Sequence, residues 1–554
     1  MCSLKTADNQ LPASWWLGFL LLSLAVAFGV GLNTWGLLES SEARYAEIGR
    51  EMLASGDWLH PRLLGIQHFH KPPLTYWLTA VGLAITGPTA AGVRLLAGVA
   101  VLLQILLVYS LGKLFFEGDA RRALTAAVVY GTLPVVWVAA LNATTDVYLA
   151  TWELAAAYGI LHHYHRHSRW GLYLFWLGLG LAFLTKGPVG LVLPLMAVAS
   201  FYFRQSQARR RFTRHHALGA GLFVAVGLSW YLFLVAENSA FIHYFLVGHT
   251  VERFANSEAF GRAKPWWFYV VLAPVTSLPW SALLVGRGAR VGWAALPQPW
   301  KNVLLFWVLI PVLFFSLSQS KLLLYVLPVF AGVALLTAYH LHALSAAALA
   351  RWSTCLLAFW GVVLLLIAAP WVAHVAHLTV PVSTTWVAGL GLLGVAFLGL
   401  DHQRLEPKAR LLGGAAVFMA ALLLAVKPLL QANELAFNGT RPLAAALQSA
   451  GLAGRPVLVY DQLVPSLAFA LERIPLSLYG NNQSLRRETQ FESDSHWHTT
   501  WLSLNDSSPA ALDSVLRQHP VLLVKGEVNE AHRWIAQRLT QRLDVGPWHV
   551  YYEQ

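Results

Sequence analysis

Between Glu39 and Trp77 the chain reads ESSEARYAEIGREMLASGDWLHPRLLGIQHFHKPPLTYW. Acids, bases, histidines, prolines and tryptophans are gathered there, directly after an apolar run of membrane length. Ionisable groups at that position are costly unless they do chemistry, so the segment reads as part of an active site for a polar substrate at a membrane surface. Glu39, Glu42, Arg44, Tyr45, Glu47, Arg50 and Glu51 fall at helical spacing. Glu39 and Glu42 then share a face, and Glu47, Arg50 and Glu51 share another that reads equally as a surface helix laced with ion pairs. Transfer of a group to a hydroxyl or amine needs a carboxylate to orient or deprotonate the acceptor. Glu42 is the first choice, with Glu39 as a substitute. Asp146, after Asn142-Ala-Thr-Thr at a membrane edge, is the second acid, and it also suits a helix N-terminus.

Cations supply the complementary half. Lys71 precedes Pro72-Pro73, Lys186 sits in Thr185-Lys186-Gly187-Pro188, Arg253 lies in His249-Thr-Val-Glu-Arg253-Phe254, and Lys321 follows Ser316-Leu-Ser-Gln-Ser320. A single cation at a helix end can simply snorkel to the headgroups. Four attached to rigid turns suggest a phosphate, because a lipid phosphate leaving group gains negative charge that preplaced cations stabilise in a water-poor site. Arg44, Tyr45 and Tyr76 complete the substrate loop. The chemistry is transfer from a lipid-linked donor.

The elements that hold these residues must be membrane helices. Of 554 residues 57% are hydrophobic and 12% charged, and the mean hydropathy is +0.53, far too apolar for a soluble enzyme. The 24 Trp and 18 Tyr suit interfacial belts. About thirteen apolar segments approach the ~20 residues that span a bilayer: 14–37, 92–115, 121–140, 146–163, 171–185, 188–203, 217–236, 267–286, 302–318, 321–340, 353–376, 384–400 and 411–429. The first reads as a retained helix, not a cleaved leader. Alternating sides put the basic runs 118–123, 162–170, 204–216 and 286–293 on one face, which the positive-inside rule makes cytoplasmic. Loops 39–77, 142–146, 185–188, 237–266 and 316–321 converge on the other. The net charge of +12 is thereby a topology signal, and nucleic acid is not an expected partner. Cys2 and Cys355 offer neither a disulfide framework nor a metal pair.

Residues 1–430 are thus expected to form an all-α polytopic membrane domain, and 431–554 an extracytoplasmic soluble α/β domain. In the latter, 456–461, 474–479, 520–525 and 548–553 read as strands, with PSLAFALERI and NEAHRWIAQRL as helices. No Gly-rich phosphate loop follows a strand, so a nucleotide site is not expected. No internal repeat is visible, which weakens a transporter reading.

EARYAEIGREML, FHKPPLTYW, TDVYLATW, GLAFLTKGPVGLVLP, HTVERF followed by KPWWFY, LPWS and FFSLSQSKLLLYVLPV occur in that order. The series resembles bacterial GT-C glycosyltransferases, most closely the lipid A 4-amino-4-deoxy-L-arabinose transferase and dolichyl-phosphate-mannose-type protein mannosyltransferase relatives, over residues 14 to about 340. The resemblance implies a multi-pass enzyme of the bacterial inner membrane. Such an enzyme takes a sugar from an undecaprenyl-phosphate carrier on the outer side and passes it to an envelope glycolipid such as lipid A, another glycan or a protein. Carried over, Lys71, Lys186 and Arg253 hold the carrier phosphate and Asp146 is the second outer-loop acid. Two departures matter. The family often has Asp-Glu where this chain has Ser41-Glu42, which moves the catalytic expectation to Glu42. It also has an acid before the KPP lysine where this chain has His70. The resemblance suggests an outer-face ion there, and His70 with His249 could hold zinc or a similar divalent metal; without one they are exposed histidines. A lipid-linked-sugar flippase is the non-enzymatic alternative. Clustering of the charges in loops, not mid-span, favours catalysis.

Overall fold

The computed structural model describes residues 12–39, 41–202, 213–245, 264–285, 295–369, 378–401, 404–479, 489, 491–492, 496–504 and 509–554. The chain is a multi-pass membrane protein. Among the described residues seven helices are long and apolar enough to cross a bilayer: Ala90–Phe115, Arg169–Ser200, Arg214–Glu237, Gln298–Leu317, Ala346–Ala368, Val382–Leu400 and Pro407–Ala432. The pair Ala120–Gly131 and Pro134–Leu141, bent by 53°, makes an eighth when taken as one span. Ala13–Gly29, Leu74–Thr86 and Val329–Ala343 are shorter apolar helices.

This is fewer than the thirteen spans read from apolar runs, and the differences have local causes. The 121–140 run breaks where Pro134, which has no N–H to donate, starts a new helix. The runs 171–185 and 188–203 count once in this number because their helical residues are continuous through the 3-10 turn Gly187–Leu191. There the chain doubles back, so that a Cβ on Gly190 would stand 2.6 Å from the Ala182 carbonyl oxygen. The 267–286 run is a short helix, Phe268–Thr276, followed by a 3-10 turn, Trp280–Leu284.

The helices that carry the site are α1 (Ala13–Gly29), α2 (Ser41–Ser55), α3 (Leu74–Thr86), α4 (Ala90–Phe115), α5 (Ala120–Gly131), α6 (Pro134–Leu141), α7 (Thr145–Arg166), α8 (Arg169–Lys186) and α9 (Val192–Tyr202). α7 packs along α4, α8 and α9. It therefore anchors the loops at its start to the centre of the helical core.

After Ala432 come the four strands read above and two more: β3 (Val457–Tyr460), β4 (Leu476–Tyr479), β5 (Trp501–Ser503), β6 (Val521–Lys525), β7 (Gln541–Val545) and β8 (Trp548–Tyr552), numbered after the short β1–β2 hairpin (Arg62–Leu63, Ile66–Gln67). They form one sheet in the order β5-β4-β3-β6-β8-β7. β3, β4, β5 and β6 are parallel, with Leu458 opposite both Leu476 and Leu522. β8 runs antiparallel to β6 and β7. β3 is buried along its whole length, as a parallel strand covered on both faces must be. Strands β3, β4, β6 and β8 match expectation. β5 and β7 escaped it, because one has only three residues and the other, QRLDV, is mostly polar and half exposed.

The sheet is tied to the first membrane helix through buried polar contacts. Glu434, just past Pro407–Ala432, accepts from the Gly36 N–H at 2.9 Å and from Arg441 at 3.0 Å. A Cβ on Gly36 would lie 2.2 Å from the Glu434 carboxylate, so only glycine admits this approach. Leu38 and Gly439 form an isolated bridge. Lys427 caps the end of α1 by donating to the Ala27 and Phe28 carbonyls at 2.6 and 2.7 Å and to that of Val30.

Candidate active site

α2 starts two residues after Glu39 and carries most of the polar island. Its salt-bridge face is real: Arg50 binds Glu47 at 2.6 and 2.8 Å. Glu51 instead accepts from the N–H groups of Leu64 and Gly65 at 2.6 and 3.0 Å. These two residues turn the β1–β2 hairpin with φ of 55° and 80°, the left-handed pair that a two-residue hairpin turn requires. Glu51 thus fixes the hairpin that leads into Phe69-His70-Lys71.

Burial raises the Glu39 carboxyl to about 7, and burial with the neighbouring Glu47 charge raises Glu51. Both bind protons in the folded chain at pH values where the unfolded chain, near 4.5, has released them. Stability falls where the folded state binds more protons. It should therefore decline as pH rises from about 4.5 through 7. Unfolding temperatures of purified protein between pH 5.5 and 8.5 should show the decline, and Glu39→Gln should flatten it; a stability that rises over that window would contradict the assignment.

The start of α7 and the end of α8 come together. Asp146, in the first turn of α7, is ion-paired through Oδ1 with Lys186 at the end of α8. Both side chains are nearly buried, and the other Asp146 oxygen accepts no hydrogen bond among the described residues. The Lys186 ammonium lies 4.0 Å from the centre of the Tyr325 ring, a cation–π contact that holds it in place. Thr75 donates to Thr145 at 3.4 Å, joining α3 to the start of α7. The 56–61 turn is held to Arg214–Glu237 by Trp230 Nε1 on the Leu59 carbonyl at 2.9 Å and His60 on Glu237 at 2.9 Å.

Beside these contacts lies a cavity of about 210 Å³. Lys71, Lys186 and His70 line it, and most of the remaining wall is apolar or aromatic, including Phe69, Phe183, Tyr231 and Phe245. Two lysines from separate elements therefore face one space whose other walls suit a hydrocarbon chain. His70 stands beside His68, ring centres 4.1 Å apart. Arg253 and His249 lie outside the described residues, so neither the third phosphate cation nor the two-histidine metal pair is placed. Among the described residues no three His, Cys, Asp or Glu side chains are grouped to hold a metal ion.

The other expected residues stand elsewhere. Glu42 is buried with both oxygens engaged: Arg94 Nε at 2.6 Å, Arg94 Nη2 at 3.0 Å and the Leu38 N–H at 3.0 Å. Arg94 also donates to the carbonyls of Leu32, Trp35 and Gly36 and stacks 3.7 Å from the centre of the Trp35 ring. Glu39 accepts from the Ser466 N–H at 2.8 Å and, with Arg44, faces a second cavity that shares no lining residue with the first. Lys321 is buried on the carbonyls of Ser318 and Lys264. Tyr45 and Tyr76 are buried, their ring centres 5.7 Å apart, in the cluster that joins α2 and α3 to Ala468.

Sequence reading missed Arg94, Tyr325 and Glu153. Arg94 carried a signal, being a charge one turn inside an apolar 26-residue helix. Glu153 is buried on α7, seven residues beyond Asp146 and so on the same face. Tyr325 carried none, since one more aromatic in an apolar stretch is unremarkable.

The model of the dolichyl-phosphate-mannose-protein mannosyltransferase family matches residues 70–233. An undecaprenyl phosphate-alpha-4-amino-4-deoxy-L-arabinose arabinosyl transferase of Pectobacterium carotovorum is 33% identical over 418 residues, 73% of this chain and 74% of that one. The corresponding protein 1 of Sodalis glossinidius is 39% identical over 333 residues, and the match spans 59% of the length of each chain. The crystal structure of ArnT from Cupriavidus metallidurans bound to undecaprenyl phosphate covers 98% of both chains with a TM-score of 0.76 at 22% identity, a likeness of fold.

Proposed function

Because the chain belongs to the family of undecaprenyl phosphate-alpha-4-amino-4-deoxy-L-arabinose arabinosyl transferases, we propose that it moves 4-amino-4-deoxy-L-arabinose, or a related pentose or hexose, from an undecaprenyl-phosphate carrier to an envelope acceptor such as lipid A. The observation that carries this reading is the Asp146–Lys186 pair on a largely apolar cavity that also presents Lys71. The carrier phosphate sits between the two lysines, with its polyprenyl chain along the aromatic wall. As the bond from the sugar to the phosphate oxygen breaks, the phosphate keeps the electron pair and both cations stabilise it. The acceptor oxygen bonds to the sugar carbon, and Asp146 orients it through its unengaged oxygen and takes a proton where the acceptor carries one. Arg253 as a third phosphate ligand, and a divalent ion on His70 and His249, extend this proposal.

The topology is part of the same proposal. The basic segments lie on the cytoplasmic side of the inner membrane, while the cavity and residues 431–554 lie outside. The doubling back at Gly190 and the three shorter apolar helices support a count nearer to thirteen crossings than eight.

Lys71→Ala and Lys186→Met should each lower transfer from a synthetic undecaprenyl-phosphate-linked sugar by about ten- to a hundredfold, since hydrogen bonds to charged groups contribute about 1.5–3 kcal/mol. The measurement uses purified protein with a nucleotide-sugar control. Unchanged rates in both variants, or activity only with the nucleotide sugar, would sink the lipid-donor mechanism.

A further inference from the structure

The second cavity, about 280 Å³, lies where the strand domain meets the segments that follow α1 and Pro407–Ala432. Glu39 lies ten residues past α1 and Asn438 six past Pro407–Ala432. The Glu39 N–H donates to the Asn438 carbonyl at 3.1 Å, so the cavity lies where the segments leaving two apolar helices meet. Arg44 from α2 and Lys525 at the end of β6 bring two cations to this space, beside Asn438, Gln462 and the edge of Trp548. The Arg44 guanidinium makes no hydrogen bond among the described residues although its Nε is buried. That is a costly arrangement for a charged donor, and an anion would relieve it. Lys525 is held over the cavity by Asn438 at 2.7 Å and lies 5.9 Å from the Trp548 ring. A forked guanidinium and an ammonium suit a phosphate. Two amides and an indole suit the hydroxyls and apolar faces of a sugar.

We propose that this cavity binds the phosphorylated sugar head group of an outer-leaflet glycolipid, with Arg44 and Lys525 on the phosphate. The assignment rests on the transferase reading and adds to it the place where the acceptor docks. Glu39 fits the same picture. It faces Arg44 and Lys525, turns one oxygen to the Ser466 N–H and binds its proton up to about 7. An incoming phosphate therefore meets a carboxyl that is readily neutral.

The test uses the full-length protein in nanodiscs. Binding of diphosphorylated lipid A is compared with that of its dephosphorylated form, of glucosamine 6-phosphate and of inorganic phosphate, and undecaprenyl phosphate is measured in parallel. Arg44→Gln and Lys525→Gln should each weaken lipid A binding about tenfold or more and leave undecaprenyl phosphate binding unchanged. Glu39→Gln, which mimics the protonated acid, should keep or tighten lipid A binding at pH 8. Lys71→Ala should do the reverse of the arginine variant, losing undecaprenyl phosphate and keeping lipid A. Unchanged lipid A binding in Arg44→Gln and Lys525→Gln overturns the proposal. So does parallel loss of both lipids, which would mark a structural role, or saturation by inorganic or sugar phosphate that lipid A fails to displace. A wild-type protein that binds lipid A but not undecaprenyl phosphate would instead remove the donor reading and leave this site standing.

Discussion

Replacing Asp146 with asparagine should lower turnover of the lipid-linked sugar by about a hundredfold or more, the size of effect that a positioned general base contributes. Of the three acids singled out by sequence, Glu42 has both oxygens engaged by Arg94 and Leu38, and Glu39 faces another cavity. Asp146 alone of the three touches a lysine of the apolar cavity and keeps an oxygen free of hydrogen bonds among the described residues. Asparagine preserves volume and can still accept from Lys186. Binding of undecaprenyl phosphate should therefore survive, and the loss should appear in kcat with KM for the donor nearly unchanged. Near-normal kcat in Asp146→Asn would transfer the acid's role to another group, with the buried Glu153 the next to examine. Loss of donor binding together with kcat would instead make Asp146 the residue that positions Lys186.

The second large effect is on stability. Arg94 is fully buried and serves Glu42, three backbone carbonyls and the Trp35 ring at once. Removing one partner of a buried ion pair leaves an uncompensated charge and costs about 3–5 kcal/mol. Arg94→Met should therefore lower the unfolding temperature in detergent sharply and reduce the yield of inserted protein. Glu42→Gln should do the same to a smaller extent, because the amide still accepts one guanidinium hydrogen bond. In the double variant Glu42→Leu/Arg94→Met much of the loss should return, since an apolar pair replaces an ion pair without a stranded charge. Turnover per folded molecule should stay close to normal in Glu42→Gln. A variant with wild-type unfolding temperature and a hundredfold loss of turnover would return Glu42 to the chemistry.

Much is legible in the sequence alone. Apolar runs determine the membrane class, because no water-soluble chain can carry them. Charges beside proline and glycine marked the loops of the candidate site, and the ordered motifs from FHKPPLTYW to FFSLSQSKLLLYVLPV marked the family. Short apolar runs marked β3, β4, β6 and β8. The number of crossings was less legible, because hydropathy measures composition along the chain and is blind to Pro134 breaking a helix or to the reversal at Gly187. What each charge does was decided only by the tertiary structure. Glu42 and Asp146 look equally catalytic as letters. Their difference lies in partners more than forty positions away in one case and exactly forty in the other, Arg94 across 52 residues and Lys186 across 40. Lys321, likewise, looks like a phosphate ligand until the Ser318 and Lys264 carbonyls are found around its ammonium. An ionisable side chain takes its role from the desolvation and counter-charges around it, and those are set by residues that only the packed fold brings within hydrogen-bond reach.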